Sequence, residues 1–297
     1  MDQYRLFTDS AVDMPHELYK KYDIHIVPMD YVLNGKEMVY FTDSPDHDKI
    51  ADELFAAQKG EADVHTSQIT PYRFEEYWRP ELEAGNDILH ITFSSGLSAT
   101  ADNAFAAAEQ LREEFPDRKL LVVDSMAATS GQGVFVQTAA MNREKGMSIE
   151  ENATWLKDHV KYLCHRFVVG DLNYLHKGGR VSKATAIVGS MLNIKPILII
   201  DDEGKIPVID KVRGRNKAWK DLIDTYVKKR EGLPEDMPRL VYITHSSQYE
   251  DAEKLKELAL KYVEEGTEIV TVTQGPIIGV HTGPDFFSFC GWGIRRN

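Results

Sequence analysis

Cysteine is scarce in this chain. Cys164 and Cys290 are the only two, far apart and without metal-site spacing. A disulfide framework is excluded, and a reducing, cytoplasmic compartment is the expectation. Long apolar runs are absent as well: no window approaches the ~18 continuous apolar residues of a membrane span. The opening MDQYRLFTDSAVD has no basic segment followed by an apolar stretch, so no signal peptide is read there. Positive charge is also in short supply, with 35 Lys and Arg against 47 Asp and Glu and a formal net charge of −12. Nucleic acid and an anionic membrane surface are therefore poor main partners. The longest basic stretch, KVRGRNK (211–217), reads as a solvated loop or helix start. Nucleotide and metal signatures are missing too. No G-x-x-x-x-G-K-[ST] occurs, and SGQG (130–133) fails as G-x-G-x-x-G because Val136 takes the last glycine position. No HExxH or histidine–carboxylate spacing appears, so neither metal nor cofactor is expected.

What is present is an ordinary globular composition, 42% apolar and 28% charged over 297 residues, a length that suggests two domains. YRLFTD (4–9), DILHITF (87–93) and KLLVVD (119–124) read as buried strands that run into polar turns. Helices over roughly 98–115 and 127–146 follow the second and third, the first with Phe105, Ala108, Leu111 and Phe115 on one face. Such alternation predicts a mostly parallel sheet covered on both faces, with ligands at the carboxyl ends of the strands. A capping box, Ser148 to Glu151, opens a connecting helix to about 164. Beyond it the chain becomes strand-rich, with helices over roughly 182–192, 215–231 and 248–265. The last of these is expected behind a second capping box, Ser247 to Glu250, and DDEGKI (201–206) marks a hairpin. The expected fold is α/β in two domains. Residues 1–160 form a mostly parallel three-layer α/β/α unit, and residues 161–297 carry a mixed or antiparallel sheet with helices on one face.

Four polar clusters could carry chemistry, and each has a plain structural alternative. VHTSQITPYRF (64–74) ends in Thr66-Ser67-Gln68 before Thr70 caps a helix that starts at Pro71. It serves equally as a surface loop or as hydroxyl donors for an anion. TFSSGLSATADNAF (92–105) sets Ser94, Ser95 and Ser98 where a strand turns into a helix, more hydroxyls than one N-cap needs. Lys177-Gly178-Gly179-Arg180 reads as a tight turn with two cations, or as a loop that brings Arg180 over an anion, ahead of a helix capped by Ser182. GPIIGVHTGP (275–284) holds His281 among glycines at an expected strand end, with Thr282 as a turn residue. A serine hydrolase using Ser95 or Ser98 with His281 remains a rival, as an esterase or thioesterase. G-x-S-x-G is absent, and SSGLS lacks the elbow spacing.

These clusters, in order with TDSAVDMP (8–15), VDS (123–125), LNYLHKGGR (172–180) and KPIL (195–198), cover nearly the whole chain. The ordered set resembles the DegV family of bacterial lipid-binding proteins. Two positions depart from that pattern: Ala99 follows the third serine of SSGLS where glycine is usual, and Asp285 follows HTGP where glycine is common.

The resemblance implies one long-chain fatty acid in a tunnel between the two domains, and no turnover by the protein alone. Proteins similar to it present the acid to a separate ATP-dependent fatty acid kinase subunit, which makes acyl-phosphate for phospholipid synthesis. Transient membrane contact is compatible with that task. The family pattern puts the carboxylate near Thr66, Ser98 and His281, with Ser67 and Ser95 close by and Arg180 at a kinase-facing rim or lid. No catalytic residue, metal or cofactor is implied. The residue types suit this role. A buried carboxylate must receive hydrogen bonds or it protonates. Hydroxyls and an imidazole provide donors without a permanent cation. The tail supplies ~0.8 kcal/mol per buried methylene. Phe286, Phe287 and Phe289 are candidate wall residues for it, though strand alternation turns Phe286 away from the other two. A carrier or sensor of another amphiphile is the second rival.

Overall fold

In the computed structural model, which describes residues 4–60, 62–188, 193–234 and 237–293, the chain forms three sheets. The first is wholly parallel, in the order β2 (Ile24–Val27), β1 (Arg5–Asp9), β6 (Ile88–Thr92) and β7 (Leu120–Asp124). A short helix, α1 (His16–Lys21), links β1 to β2. Strand alternation sends Phe7 and Ile88 to one face and Leu6 and Leu89 to the other, and both faces are buried. Helices α3 (Pro71–Glu83) and α4 (Thr100–Glu114) cover the Phe7 side. Helices α5 (Thr129–Glu144) and α6 (Ile149–His159) cover the Leu6 side. This is the expected three-layer arrangement.

The buried stripe of α4 differs from the expected one. Ala101, Ala104, Ala108 and Leu111 face the core, while Phe105 is 40% exposed. Small residues let α4 approach α3 and the sheet closely, and that excludes the bulky phenylalanine from the contact.

A second sheet, which the sequence reading lacked, is antiparallel: β4 (Lys36–Tyr40), β3 (Met29–Leu33), β5 (Val64–Ser67), with α2 (His47–Lys59) between β4 and β5. Its signal was present in Asn34-Gly35. Both residues take positive φ, 51° and 77°, as a tight hairpin requires.

The third sheet is mixed, in the order β10 (Val208–Arg213), β9 (Ile194–Ile199), β8 (Leu163–Val169), β13 (Phe286–Trp292), β11 (Leu240–His245), β12 (Glu268–Thr273). Only β11 and β12 run parallel. Its outer face buries Phe287 and Phe289 against α9 (Arg215–Arg230) and α10 (Tyr249–Ala259). Its inner face turns Tyr242, Cys290 and Trp292 into one core with Leu6, Val134 and Phe135. The first and third sheets thus share apolar packing through α5.

The Ser148–Glu151 capping box forms, each side chain meeting the other residue's backbone N–H. The second box does not. Helix α10 starts at Tyr249 with Gln248 as N-cap, because Ser247 is turned into a positive φ of 54°. Among the described residues three short α-helices remain, α7 (Asn173–Lys177), α8 (Lys183–Val188) and α11 (Pro276–Thr282), beside a single 3-10 turn at Val160–Tyr162. The expected helix over 182–192 ends, as far as it is described, at Val188.

Candidate functional site

All three sheets converge on a cavity of about 330 Å³ at the carboxyl ends of β6 and β7. Met29 and Thr66 enter it from the second sheet, Phe167 and Phe286 from the third, and Phe93 and Ala128 from the loops of the first. Most of the wall is apolar, with Leu175, Ile200, Ile206 and Ile277 completing it. Of the three candidate phenylalanines, only Phe286 lines the cavity, since alternation turns Phe287 and Phe289 to the outer face.

Two acids hold the loops that carry part of this wall. Asp9 accepts hydrogen bonds from the backbone of Ala11 and Phe93 and from the side chains of Thr92 and Gln132. Asp124 accepts from the backbone N–H groups of Ser95 and Met126. Both carboxylates anchor the loops that follow the strands.

The serines around Gly96 separate by partner. Ser94 donates to the Gly204 carbonyl at 2.9 Å, and a side chain at Gly96 would collide with the Glu203 carbonyl. That end of the loop is pinned under the β9–β10 hairpin. Ser95 is tied by its backbone to Asp124, its hydroxyl is nearest the Met126 sulfur, and it does not line the cavity. Ser98 does, with its hydroxyl 2.9 Å from Thr100 Oγ1, which in turn accepts from the Ile69 N–H. Ala99 takes φ −70°, open to any residue, so the departure from glycine brings no strain.

His281 arrives on a helix, where a strand end was expected. Gly275 is the N-cap and Pro276 the first residue of α11, and Ile277 and Val280 face inward one turn apart. That start signal was legible in the sequence. Asp13 holds the helix start, accepting from the Gly275 N–H at 2.8 Å. Gln58 of α2 donates to the Gly279 and Val280 carbonyls near its end. His281 Nε2 lies 2.9 Å from Thr66 Oγ1, and its Nδ1 is buried without a partner. Burial, with the Arg180 cation nearby, pushes the imidazole pKa down to about 3. Thr282 also lines the cavity. Its hydroxyl donates to Gln274 Oε1 at 2.7 Å, so it is a buried helix residue rather than part of a turn.

Ser67 and Gln68 lie at the exposed rim. Arg180 lines the cavity and also an outer groove that includes Ser182 and Lys205. Its guanidinium donates to two backbone carbonyls, Leu97 and Gly178, and burial lowers its pKa. Among the described residues no carboxylate pairs with it. Asp285 stands away from the cavity wall. It closes an ion cluster with Lys195 and Arg215, the latter also bound to Asp251.

The corner formed by Thr66, Ser98, Arg180 and His281 is therefore a set of donors at the edge of an apolar space. It is not a hydrolytic triad. His281 meets Thr66 rather than a serine, Ser98 is engaged with Thr100, and among the described residues no carboxylate orients the imidazole. Among the described residues no group of side chains is arranged to hold a metal ion, and no helix is long and apolar enough to cross a membrane.

Residues 3–291 match the family model described as "Uncharacterised protein, DegV family". A DegV domain-containing protein of Lactococcus lactis is 37% identical over 281 residues, 94% of each chain. A DegV family protein of Thermus thermophilus, described as fatty acid binding, has the same fold with a TM-score of 0.82. It is 29% identical, over 98% of this chain and 99% of its own. DegV of Bacillus subtilis, described as a fatty acid binding protein, gives a TM-score of 0.80 at 28% identity over 99% and 100% of the two chains.

Proposed function

Because the chain belongs to the DegV family, we propose that it binds one long-chain fatty acid in this cavity and presents the carboxylate to a separate, ATP-dependent fatty acid kinase subunit. The kinase then forms acyl-phosphate for phospholipid synthesis. One observation carries the reading: a mostly apolar cavity whose wall also bears the donors Thr66, Ser98, Arg180 and His281, with Thr66 and His281 in direct contact. A carboxylate there receives hydrogen bonds that an ester oxygen cannot match, while the tail takes the apolar wall. A carboxylate is already a nucleophile toward phosphorus, so the presenting protein needs no general base. The fatty-acid-binding relatives from Thermus thermophilus and Bacillus subtilis support the ligand class. The kinase step, a cytoplasmic location and any transient membrane contact are parts of the same proposal. So is the division into domains 1–160 and 161–297 with the lipid between them.

Ser67 and Gln68 fit the rim of this site, and Ser95 serves its loop. The test is mass spectrometry of an organic extract of the purified protein, followed by titration with a fatty acid and its methyl ester. Copurifying fatty acid and a preference for the acid are expected. Another amphiphile in the extract would turn the reading to a different carrier. Ester hydrolysis by the isolated protein, lost on Ser98→Ala, would replace it with an esterase.

A further inference from the structure

The LNYLHKGGR stretch contains two adjacent glycines that do different things. Gly179 takes a left-handed φ of 78°, and a side chain there would meet nothing within 4 Å. Gly178 closes α7 with an ordinary φ of −72°, so conformation does not demand a glycine. Space does. A Cβ at Gly178 would collide with His281 Nδ1 and stand 3.2 Å from Cε1 and 3.3 Å from Cγ. The imidazole lies flush on the glycine.

We infer that Gly178 is a positioning residue of the head-group corner, holding the His281 ring with a protonated Nε2 turned to the cavity. The inference rests on the reading of that corner as the carboxylate site.

The contact leaves Nδ1 buried without a partner, while Nε2 has Thr66 Oγ1 at 2.9 Å. A neutral imidazole carries one N–H, and the ring is neutral because burial and Arg180 hold its pKa near 3. Placed on Nδ1, that N–H would be a buried donor with no acceptor, the rarer kind of orphan in folded proteins. Placed on Nε2, it reaches Thr66 and any carboxylate oxygen beside it. The other tautomer would aim a lone pair at the anion. Gly178 also accepts from the Arg180 guanidinium through its carbonyl, so one backbone position orients both donors. A reciprocal contact fixes the pair of helices: a side chain at Gly283, the C-cap of α11, would collide with the Tyr174 ring of α7.

The experiment compares wild type, Gly178→Ala and Gly179→Ala by affinity for stearate and for methyl stearate. It adds nitrogen-15 NMR of histidine-labelled wild-type protein at neutral pH. Gly178→Ala should cut the acid-over-ester preference about tenfold or more, with ester affinity held within about twofold. Gly179→Ala strains the same turn and should keep the preference. The His281 signals should report a neutral ring protonated on Nε2. An unchanged preference in Gly178→Ala, equal losses in both variants, or a wild-type ring protonated on Nδ1 would each overturn the assignment. Should wild type bind neither acid nor ester, the lipid reading falls. Nitrogen-15 NMR of Gly178→Ala beside wild type then decides the role of Gly178: altered His281 ring signals are expected, and an unchanged Nε2-protonated ring would overturn it.

Discussion

Ser95 and Ser98 are three positions apart and chemically identical, yet only Ser98 meets the cavity. Ser98→Ala should weaken fatty acid binding by about 1–3 kcal/mol, the cost of leaving a buried anion short of a donor. Ser95→Ala, away from the wall, should stay within about 0.5 kcal/mol. Isothermal titration of both variants checks the contrast, and equal losses would refute the placement. Arg180 adds a finer point. The sequence suggested a rim residue facing the kinase, and the guanidinium lines the cavity as well as the outer groove. A half-buried cation with only carbonyl partners favours a nearby anion. Arg180→Ala should therefore loosen the acid but spare the methyl ester. Unchanged acid affinity alongside impaired acyl-phosphate formation would assign it to the kinase face instead.

Helix α11 carries His281 and is too short to hold itself, so its neighbours determine its place. Gly279 lets it lie on α2, where a Cβ would stand 2.9 Å from Phe55 Cζ and 3.1 Å from Leu54 Cδ2. Gly279→Val should wedge the two helices apart and cost about 1–3 kcal/mol of stability. The expected readouts are a lower urea midpoint and lost acid-over-ester preference in the same variant. A lower midpoint with full preference would show that α11 keeps its position without α2. The expected strand at this site was an error of period. The apolar pair Ile277-Ile278 fits a strand as well as a helix, and Pro276 after Gly275 is the helix-start signal that decides between them.

Across the whole molecule, buried titratable groups set opposite slopes on stability. Burial lowers the pKa of His47, His90, His245 and His281 below the ordinary 6.5, to about 3 for His90 and His281 and about 4 for His245. The unfolded chain takes up those protons first, so stability is full above about pH 6.5 and falls as pH drops toward 4. Asp13 is the reverse case. Burial pushes its carboxyl up to about 8 from 3.8, so stability falls as pH rises through that window. Asp9 is raised in the same direction. Below 6.5 the four imidazoles outnumber the two carboxyls, and above it Asp13 still titrates, up to about 8. Urea midpoints should therefore peak near pH 6.5. Asp13→Asn should flatten the alkaline limb and His90→Phe the acid limb. A midpoint that climbs steadily to pH 8 in wild type would contradict the assignment of Asp13.

Local chemistry was legible in the chain without coordinates. Short apolar runs ending in polar turns marked β1, β6 and β7, Thr70 and Ser148 marked helix starts, and alternation separated Phe286 from Phe287 and Phe289. Each depends on neighbours within a few residues, which a sequence displays directly. Thr66, Ser98 and His281 were nameable through their motifs, but their meeting was not. Long-range partners decided that. Ser94 reaches Gly204 and Ser95 reaches Asp124, which leaves Ser98 for the cavity. Thr66 and His281 touch across 215 positions of chain. In loops, a side chain's direction follows whichever distant backbone it packs against, and only the folded arrangement of the three sheets supplies that backbone.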